Sequence, residues 1–244
     1  MKTIFIGDIH GRSVWKQIVD RENPDRVVFI GDYFDSYDEF TTEEQVNNFL
    51  DIIEFKKTSG VETICLIGNH DHHYFPAVGN TGTSGYQTIG KVVIEHIIEE
   101  NKEHLQIAYQ FDDVLCTHAG VTNTFLNKAF GEGEWSIDTV ADSLNDLFRF
   151  KPQSFCFGVF RDRFSADAYG DDVFQSPIWV RPRSLQSDAI DKKRVIQIVG
   201  HTQQNQIDIK GKSTGGRFYY IDTLGTSGEY LILNEGQFSV GSVK

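Results

Sequence analysis

Three hydrophobic runs near the start of the chain each end in glycine followed by a side chain that can bind a metal ion. They occupy residues 3–7, 26–31 and 63–68 and precede Asp8, Asp32 and Asn69. Each run contains four to five apolar or β-branched residues, which is typical of a buried strand. Because ligand sites of open α/β sheets lie outside the carboxyl ends of the strands, we expect the three polar side chains to meet at one point.

Helical periodicity fills the gaps between these runs. The first predicted helix carries Val14 and Ile18 and ends at the Asn23-Pro24 break. The second begins at Thr41, where a hydroxyl N-cap precedes acidic residues, and stops near Gly60. The order β-α-β-α-β favours a parallel sheet with right-handed crossovers.

The rest of the chain is divided by its periodicity and turn residues. The pattern predicts a loop over 76–90, helices over 89–100 and within 123–150, strands at 105–109, 114–117 and 195–199, and a closing hairpin from 218–222 and 230–233. Residues 151–176 fit no regular element. We therefore expect a single domain over 1–244, with a partly irregular insertion around 123–176.

Composition argues against several classes of protein. With 244 residues and 39% hydrophobic content, the chain can bury a substantial core. A formal net charge of −12 repels nucleic-acid phosphates, so we expect no bulk binding to DNA or RNA. No apolar run approaches the ~20 residues that span a bilayer, and a strand pattern begins directly at the N-terminus, so we expect no membrane contact and no signal peptide. Cys65 and Cys116 lie in apolar runs as buried thiols do, which predicts a cytoplasmic protein.

Six polar residues near the ends of predicted strands form the candidate ligand set. They are Asp8, His10, Asp32, Asn69, His118 and His201. One such motif alone is usually a turn or a hydrogen-bonded core histidine, but the pattern recurs after four separate strands. Oxygen and imidazole donors suit Mn, Fe, Zn, Co or Ni better than Ca or Mg alone. Six ligands suit two ions that share a carboxylate, and ions about 3.5–4 Å apart can clamp an in-line displacement at phosphorus. The set therefore predicts metal-assisted hydrolysis of a phosphate ester.

Five motifs give the chain a family resemblance. They are Gly7-Asp8-Ile9-His10-Gly11, Gly31-Asp32-Tyr33-Phe34-Asp35, Gly68-Asn69-His70-Asp71, His118-Ala119-Gly120 and Gly200-His201-Thr202. Together they resemble the motifs of calcineurin-like metallophosphoesterases, above all the bacterial and bacteriophage-type serine/threonine phosphoprotein phosphatases and the related symmetrical dinucleoside tetraphosphatases. The resemblance extends from residue 4 to about residue 233. It implies an α/β fold, an α+β sandwich with four α-β-β-α layers, in one catalytic domain.

The resemblance also implies roles for the motif residues. Asp8 and His10 would hold one metal ion, Asp32 would bridge two ions, and the second ion would be held by Asn69, His118 and His201. The two divalent ions are expected to be Mn²⁺, with Fe, Zn, Co or Ni as alternatives. His70 would act as general acid toward the leaving group, and Asp35 would hydrogen-bond His70 and keep it protonated. The alternative for Asp35 is that it only caps a turn.

Arginines are the predicted phosphate ligands. Trp179-Val180-Arg181-Pro182 resembles a stretch of bacterial members whose arginine contacts the substrate phosphate, and a guanidinium fork suits two phosphate oxygens. The family usually has Arg-Gly after the second motif, where this chain has Ser36-Tyr37. Arg12 joins Arg181 in the predicted phosphate site, and the sequence leaves Arg161 and Arg163 open as replacements for the missing arginine.

These inferences predict a dinuclear-metal phosphoesterase that hydrolyses phosphomonoesters by direct attack of a metal-bridging hydroxide. Phosphoserine and phosphothreonine in proteins are the expected substrates, with aryl phosphates cleaved non-specifically. The first alternative is a hydrolase of dinucleoside polyphosphates or other nucleotides, in which aromatic residues between Phe148 and Trp179 stack a base. The second is a catalytically silent metal-bound scaffold, which an incomplete ligand set or a missing His70 would indicate; here the set is complete and His70 is present.

Overall fold

The structure, a computed structural model, describes residues 1–38, 40–79, 85–160, 170–209 and 217–244. The strands are β1 (Lys2–Ile6), β2 (Arg26–Phe29), β3 (Glu62–Leu66), β4 (Leu105–Gln106), β5 (Ala108–Phe111), β6 (Val114–Thr117), β7 (Ile196–Val199), β8 (Phe218–Tyr220), β9 (Glu229–Asn234) and β10 (Gln237–Ser242). The helices are α1 (Trp15–Glu22), α2 (Thr42–Thr58), α3 (Asn69–His72), α4 (Lys91–Asn101), α5 (Asn123–Phe130), α6 (Val140–Phe150) and α7 (Pro182–Asp188). Short 3-10 segments occur at Lys102–His104, Ile137–Thr139 and Pro152–Phe155.

The strands form two sheets. One sheet has six strands in the order β10-β9-β1-β2-β3-β4, and the other has four strands in the order β5-β6-β7-β8. The strands β1, β2, β3 and β4 run parallel to one another, and so do β6, β7 and β8. The helices α1 and α2 form the crossovers of the first sheet, in agreement with the predicted β-α-β-α-β order.

Buried side chains define the layers of the fold. Between the sheets, Phe5 of β1 shares an apolar cluster with Cys116 of β6. On the outer face of the six-stranded sheet, Phe29 packs edge-on against Trp15 of α1, with 5.6 Å between ring centroids. On the outer face of the four-stranded sheet, Leu185 of α7 belongs to a third cluster. Helices therefore flank two packed sheets, which confirms the predicted four-layer α/β sandwich.

The strand predicted over 105–109 is two strands that lie in different sheets. β4 pairs with β3 of the six-stranded sheet, whereas β5 pairs with β6 of the four-stranded sheet. The chain crosses between the sheets at Ile107. Asn145 of α6 holds this crossing, because its Oδ1 accepts from the N–H groups of Ile107 and Ala108 at 2.9 and 3.0 Å. Ile107 is fully buried, so its apolar side chain gives no sign of the break.

The predicted closing hairpin from 218–222 and 230–233 is wrong. β8 pairs in parallel with β7 in one sheet, and β9 pairs antiparallel with β1 in the other. The actual hairpin joins β9 to β10, through left-handed residues Glu235 and Gly236 with φ of 50° and 75°. The segment after β8 instead carries Asp222 to the wall of a cavity described below.

Local signals in the sequence set the ends of two helices as predicted. Thr41 caps α2: its hydroxyl accepts from the N–H of Glu44 at 3.2 Å, and the Glu44 carboxylate accepts from the N–H of Thr41 at 2.7 Å. α1 ends at Asn23, which is left-handed with φ of 43° and precedes Pro24. No helix within the described ranges is long and apolar enough to cross a membrane.

Candidate active site

Strand ends from both sheets converge on one cavity of about 580 Å³. Its lining includes five of the six predicted ligands, namely Asp8, His10, Asp32, Asn69 and His201. The sixth, His118, is fully buried, and its Nε2 lies 2.9 Å from Asn69 Oδ1. The structure thus brings together all six residues that the sequence singled out.

Glycines precede these ligands because the strand ends are crowded. Four glycines directly precede a candidate ligand: Gly7, Gly31, Gly68 and Gly200. At each of them an added Cβ would come within 2.5 Å of a neighbouring atom. A Cβ at Gly200 would lie 1.9 Å from Asp8 Oδ1, and one at Gly68 would lie 2.0 Å from Asp32 Oδ1. Both clashes fall on carboxylates of the donor set. The glycine-ligand pattern therefore reflects close packing of one strand end against the next.

Gly200→Ala is expected to weaken metal binding and folding together, because the added methyl group must displace Asp8 or the end of β7. We expect metal affinity to fall by roughly 10-fold or more, measured by isothermal titration with Mn²⁺, and the thermal unfolding midpoint to drop. Gly60→Ala is the matched control: Gly60 has φ of 76° with nothing within 4 Å of its Cβ position, so only stability should change. Unaltered Mn²⁺ affinity in the Gly200→Ala protein would contradict the packing argument.

Asp8, His10 and Asp32 form a first donor cluster, with one ligand atom each within 4.8 Å of one another. His10 Nδ1 lies 2.7 Å from Phe34 O, and burial lowers the pKa of His10 to about 4. The neutral ring therefore donates its Nδ1–H to that carbonyl and directs the Nε2 lone pair toward Asp32 Oδ2, 3.7 Å away. Burial and then the charges of Asp222 and Asp32 raise the pKa of Asp8 well above its usual value. A cation among these donors would reduce the repulsion between the facing lone pairs and between the crowded carboxylates.

Asn69, His118, His201 and Asp32 form a second donor cluster. Asn69 Oδ1 lies 2.9 Å from His118 Nε2 and 2.8 Å from His201 Nδ1, and Asp32 Oδ2 lies 3.3 Å from the same His118 nitrogen. His118 Nδ1 donates to Ile30 O at 2.8 Å. The His118 Nε2 then carries either a second proton or a lone pair aimed at two oxygens, and a divalent cation suits the latter arrangement. The donor sets of both clusters fit metal ions, and Asp32 belongs to both.

Asp71 connects the chain segments that follow β2 and β3, next to the candidate donors. Its carboxylate accepts from the backbone N–H groups of Asp32, Tyr33 and Gly68, each at 2.8 Å. Asp32 itself has φ of 52°, a strained conformation that costs about 1–3 kcal/mol for a residue with a side chain. The three bonds to Asp71 therefore help to hold the left-handed conformation of Asp32.

His70 lies at the cavity beside the donor clusters, and its Nδ1 contacts Asp35 Oδ2 at 3.1 Å. Burial lowers the pKa of His70, but the charges of neighbouring aspartates outweigh this effect and raise it above the usual value. Asp35 is fully buried and also accepts from Tyr74 Oη at 2.6 Å and from Gln87 Nε2 at 3.1 Å. His73 Nε2 lies 2.7 Å from Asp35 Oδ2. Asp35 thus contacts His70 through its side chain rather than only shaping a turn.

Both arginines of the predicted phosphate site line the cavity. Arg181 Nη1 donates to Thr202 Oγ1 at 3.2 Å. Arg12 Nη2 donates to Asp38 Oδ2 at 2.7 Å. The other two candidates for the missing arginine, Arg161 and Arg163, lie outside the described residues.

Aromatic side chains form parts of the cavity wall, namely Tyr37, Phe157 and Trp179. Tyr37 is 67% exposed, and its ring stands edge-on to His70 with 5.9 Å between centroids. Phe157 and Trp179 pack edge to face at 5.1 Å, and Trp179 lies 5.7 Å from the ring of His201. Apolar surface therefore borders both the His70 side and the His201 side of the donors.

Known proteins share the sequence pattern behind this geometry. Residues 1–205 match the family model of calcineurin-like phosphoesterases. The chain belongs to this family. Calcineurin-like phosphoesterases use divalent metals, and among the described residues of this member two groups have ligand atoms close enough to hold an ion, Asp8-His10-Asp32 and Asp35-His70-His73. No curated protein matches the sequence significantly.

Solved structures share the fold of this calcineurin-like phosphoesterase over almost its whole length. The cold-active protein-tyrosine phosphatase of a psychrophilic Shewanella species has a TM-score of 0.64 at 18% identity, covering 99% of this chain and 77% of that one. A protein serine/threonine phosphatase from Saccharomyces cerevisiae has a TM-score of 0.58 at 11% identity, covering 100% of this chain and 80% of that one. At such identities the likeness concerns the fold alone.

The sequence did not predict a role for two residues of the phosphoesterase site, Asp71 and His73. A signal for His73 was present in the run His70-Asp71-His72-His73. On a helix, residues three positions apart share a face, so His73 could have been placed beside His70. The clamp by Asp71 had no such signal, because two of its three backbone partners lie on another strand end.

Proposed function

We propose that this calcineurin-like phosphoesterase hydrolyses phosphomonoesters with two divalent metal ions, and that its main substrates are phosphoserine and phosphothreonine in proteins. The observation that supports this most directly is the pair of donor clusters that share Asp32, with His70 at the same cavity. A shared carboxylate suits two ions at the spacing that phosphoryl transfer uses. The proposal treats residues 1–244 as one catalytic domain, located in the cytoplasm, where the three free cysteines would stay reduced.

The proposed ligands keep the roles that the family resemblance implies. Asp8 and His10 would hold one ion, Asp32 both, and the second ion would be held by Asn69, His118 and His201. We propose Mn²⁺, since oxygen and imidazole donors suit it, with Fe, Zn, Co or Ni as alternatives. When bound, two divalent ions would supply the charge that polarises the phosphoryl oxygens and lowers the pKa of a water molecule for in-line attack, with inversion expected at phosphorus.

The side chains around the donors supply the remaining chemistry. Arg181 and Arg12 bind and orient the phosphoryl group through bidentate guanidinium contacts. His70 donates a proton to the departing alkoxide, and the proton comes from Nε2 because Nδ1 is engaged by Asp35. Asp35 orients the ring and stabilises its protonated form. Each of these side chains lies in or next to the same cavity.

A nucleotide phosphohydrolase is the second candidate, and a specific observation favours it. Phe157 and Trp179 line the cavity, where a base could stack. A catalytically silent scaffold is not favoured, because the donors, His70 and the arginines all meet in one place.

The proposal is tested by phosphate release after chelation and addition of Mn²⁺. The substrates are phosphoserine, phosphothreonine and phosphotyrosine peptides, an aryl phosphate and diadenosine tetraphosphate. Preferred cleavage of the phosphoserine and phosphothreonine peptides would support the protein-phosphatase proposal. Preferred cleavage of phosphotyrosine would redirect the substrate class, and preferred cleavage of the dinucleotide would favour the second candidate. No release from any substrate, with two ions bound, would contradict the proposed function.

Arg181→Ala is expected to weaken phosphate binding more than it slows chemistry. A charge-assisted hydrogen bond contributes about 1.5–3 kcal/mol, which corresponds to a KM raised by roughly 10- to 100-fold. Arg183→Ala is the control, since Arg183 lies two positions away and is exposed. Steady-state kinetics on an aryl phosphate measures both variants. A KM that stays at the wild-type value in Arg181→Ala would remove Arg181 from the phosphate site.

A further inference from the structure

One buried carboxylate oxygen faces two imidazoles. Asp35 Oδ2 lies 3.1 Å from His70 Nδ1 and 2.7 Å from His73 Nε2, and all three side chains are buried. We propose that His73 is a positioning residue for proton donation by His70, because it holds Asp35 Oδ2 in line with His70 Nδ1. This inference rests on the proposed phosphomonoesterase function, in which His70 protonates the leaving group.

The local sequence places the two imidazoles on one side of a short helix. His70 lies in α3, and His73 follows the last residue of that helix with φ of −72° and ψ of −9°, so it extends the turn. Residues three positions apart on such a turn share a face. His72, between them, points elsewhere, and its Nε2 contacts Pro152 O at 2.9 Å. The run of histidines thus divides into two that face Asp35 and one that does not.

The acceptor sites of Asp35 explain why the contribution of His73 matters. Oδ1 accepts from Tyr74 Oη and Gln87 Nε2, whereas Oδ2 faces the two imidazoles. A carboxylate turns as a unit about its Cβ–Cγ bond, and each contact to one of its oxygens limits that rotation. Without His73, Oδ2 would keep only its contact with His70, whereas Oδ1 would keep both of its donors. The carboxylate could then rotate out of line with His70 Nδ1.

The surroundings of His73 fix its orientation. Its ring stands edge-on to Tyr74 at 4.5 Å and to Tyr86 at 4.9 Å, and Tyr74 stacks on Tyr86 at 5.0 Å. Gly85 closes over Asp35 and His70: a Cβ at this left-handed residue would lie 3.2 Å from Asp35 Cβ. The cluster is therefore packed on several sides, and polar contacts within it are strengthened by such surroundings.

One ligand atom of each of these three residues lies within 4.8 Å of the others, which is close enough to hold a metal ion. Their side chains contact one another directly instead. Both imidazole nitrogens approach one oxygen at hydrogen-bond distances, so the oxygen lies where a shared ion would have to sit. A bound ion would also have to displace the protons of both imidazoles.

Two amide substitutions of His73, with side chains of different length, test the proposal. Gln at position 73 places an amide nitrogen at about the position of His Nε2, whereas the shorter Asn cannot reach Asp35. With metal-loaded enzyme, we expect His73→Asn to lower kcat on a phosphoserine peptide by roughly 10-fold, as often happens when a residue that orients a site side chain is lost. On p-nitrophenyl phosphate, whose leaving group needs little protonation, kcat should change little. His73→Gln should recover most of the loss on the peptide.

His72→Asn is the matched control, because it removes the buried imidazole of the preceding residue, which contacts Pro152 rather than Asp35. It should lower thermal stability and leave the ratio of the two kcat values unchanged. An unchanged ratio in His73→Asn, with wild-type activity intact, would overturn the inference and leave the proposed function standing.

A measurement that does not depend on catalysis distinguishes failure of the His73 inference from failure of the proposed function. In long-range ¹H–¹⁵N spectra of the metal-free protein, the His70 Nδ1–H signal should persist in His73→Gln and be shifted or lost in His73→Asn. The same signal in both variants would overturn the inference even if the wild-type enzyme released no phosphate. Binding of a third zinc equivalent that His73→Asn abolishes would also overturn it, in favour of a metal site.

Discussion

Asp32→Asn is expected to remove one bound metal ion and nearly all turnover. Asp32 Oδ2 faces His10 Nε2 at 3.7 Å and His118 Nε2 at 3.3 Å, so one oxygen serves both donor clusters. Asparagine keeps the size of the side chain and can still accept the His70 N–H bond now made to Oδ1 at 2.9 Å. It cannot supply a negatively charged bridge. We expect kcat to fall by roughly 10³-fold, as when a main electrostatic contribution to a transition state is lost.

Two measurements check the Asp32 result. Metal content by mass spectrometry, after dialysis against Mn²⁺ and removal of free ion, should fall from two equivalents toward one, in parallel with phosphate release. Asp51→Asn is the control for the chemical change, because Asp51 is exposed and pairs with Lys16 away from the cavity. Two retained ions with wild-type turnover in Asp32→Asn would mean that Asp32 bridges nothing.

The donors of the site could be predicted because each depends on a short stretch of chain. A hydrophobic run identifies a strand, and the residue after its final glycine then lies at the strand's carboxyl end. Asp32 and His201 follow this rule, although 169 positions separate them in the sequence. The glycine adds a second signal, since only a residue without a Cβ fits beside Asp8 or Asp32. Repetition of one local pattern was enough to predict that these candidate donors lie together.

Contacts that depend on the partner of a segment could not be predicted in this way. The hydrophobic pattern of residues 218–222 suits a strand in either sheet, and only the assembled fold pairs β8 with β7. Asp71 acts through backbone groups of Asp32 and Tyr33, which no pattern around Asp71 reveals. His73 likewise acquires a partner only when β2 and α3 bring Asp35 beside it. Residues that hold the site in place, such as Asp71 and His73, gain their contacts through tertiary packing. The candidate donors can be predicted because they lie at the ends of strands.

His70→Asn is expected to keep both metal ions and to slow hydrolysis in proportion to the basicity of the leaving group. The asparagine amide can still donate to Asp35 from near the position of Nδ1, but it has no atom at the position of Nε2. The departing alkoxide then leaves without a proton. General acid catalysis contributes about 10²- to 10⁴-fold, so a phosphoserine peptide should lose activity in that range. An aryl phosphate with a good leaving group should lose much less.

The comparison of leaving groups decides the role of His70. Rates for a series of aryl phosphates of rising phenol pKa should depend more steeply on that pKa in the variant than in the wild type, because the acid no longer offsets charge on the departing oxygen. His96→Asn is the control, since His96 is exposed on α4 and pairs with Glu100. Equal losses for good and poor leaving groups, with both ions bound, would argue that His70 orients the phosphoryl group instead of protonating the leaving oxygen.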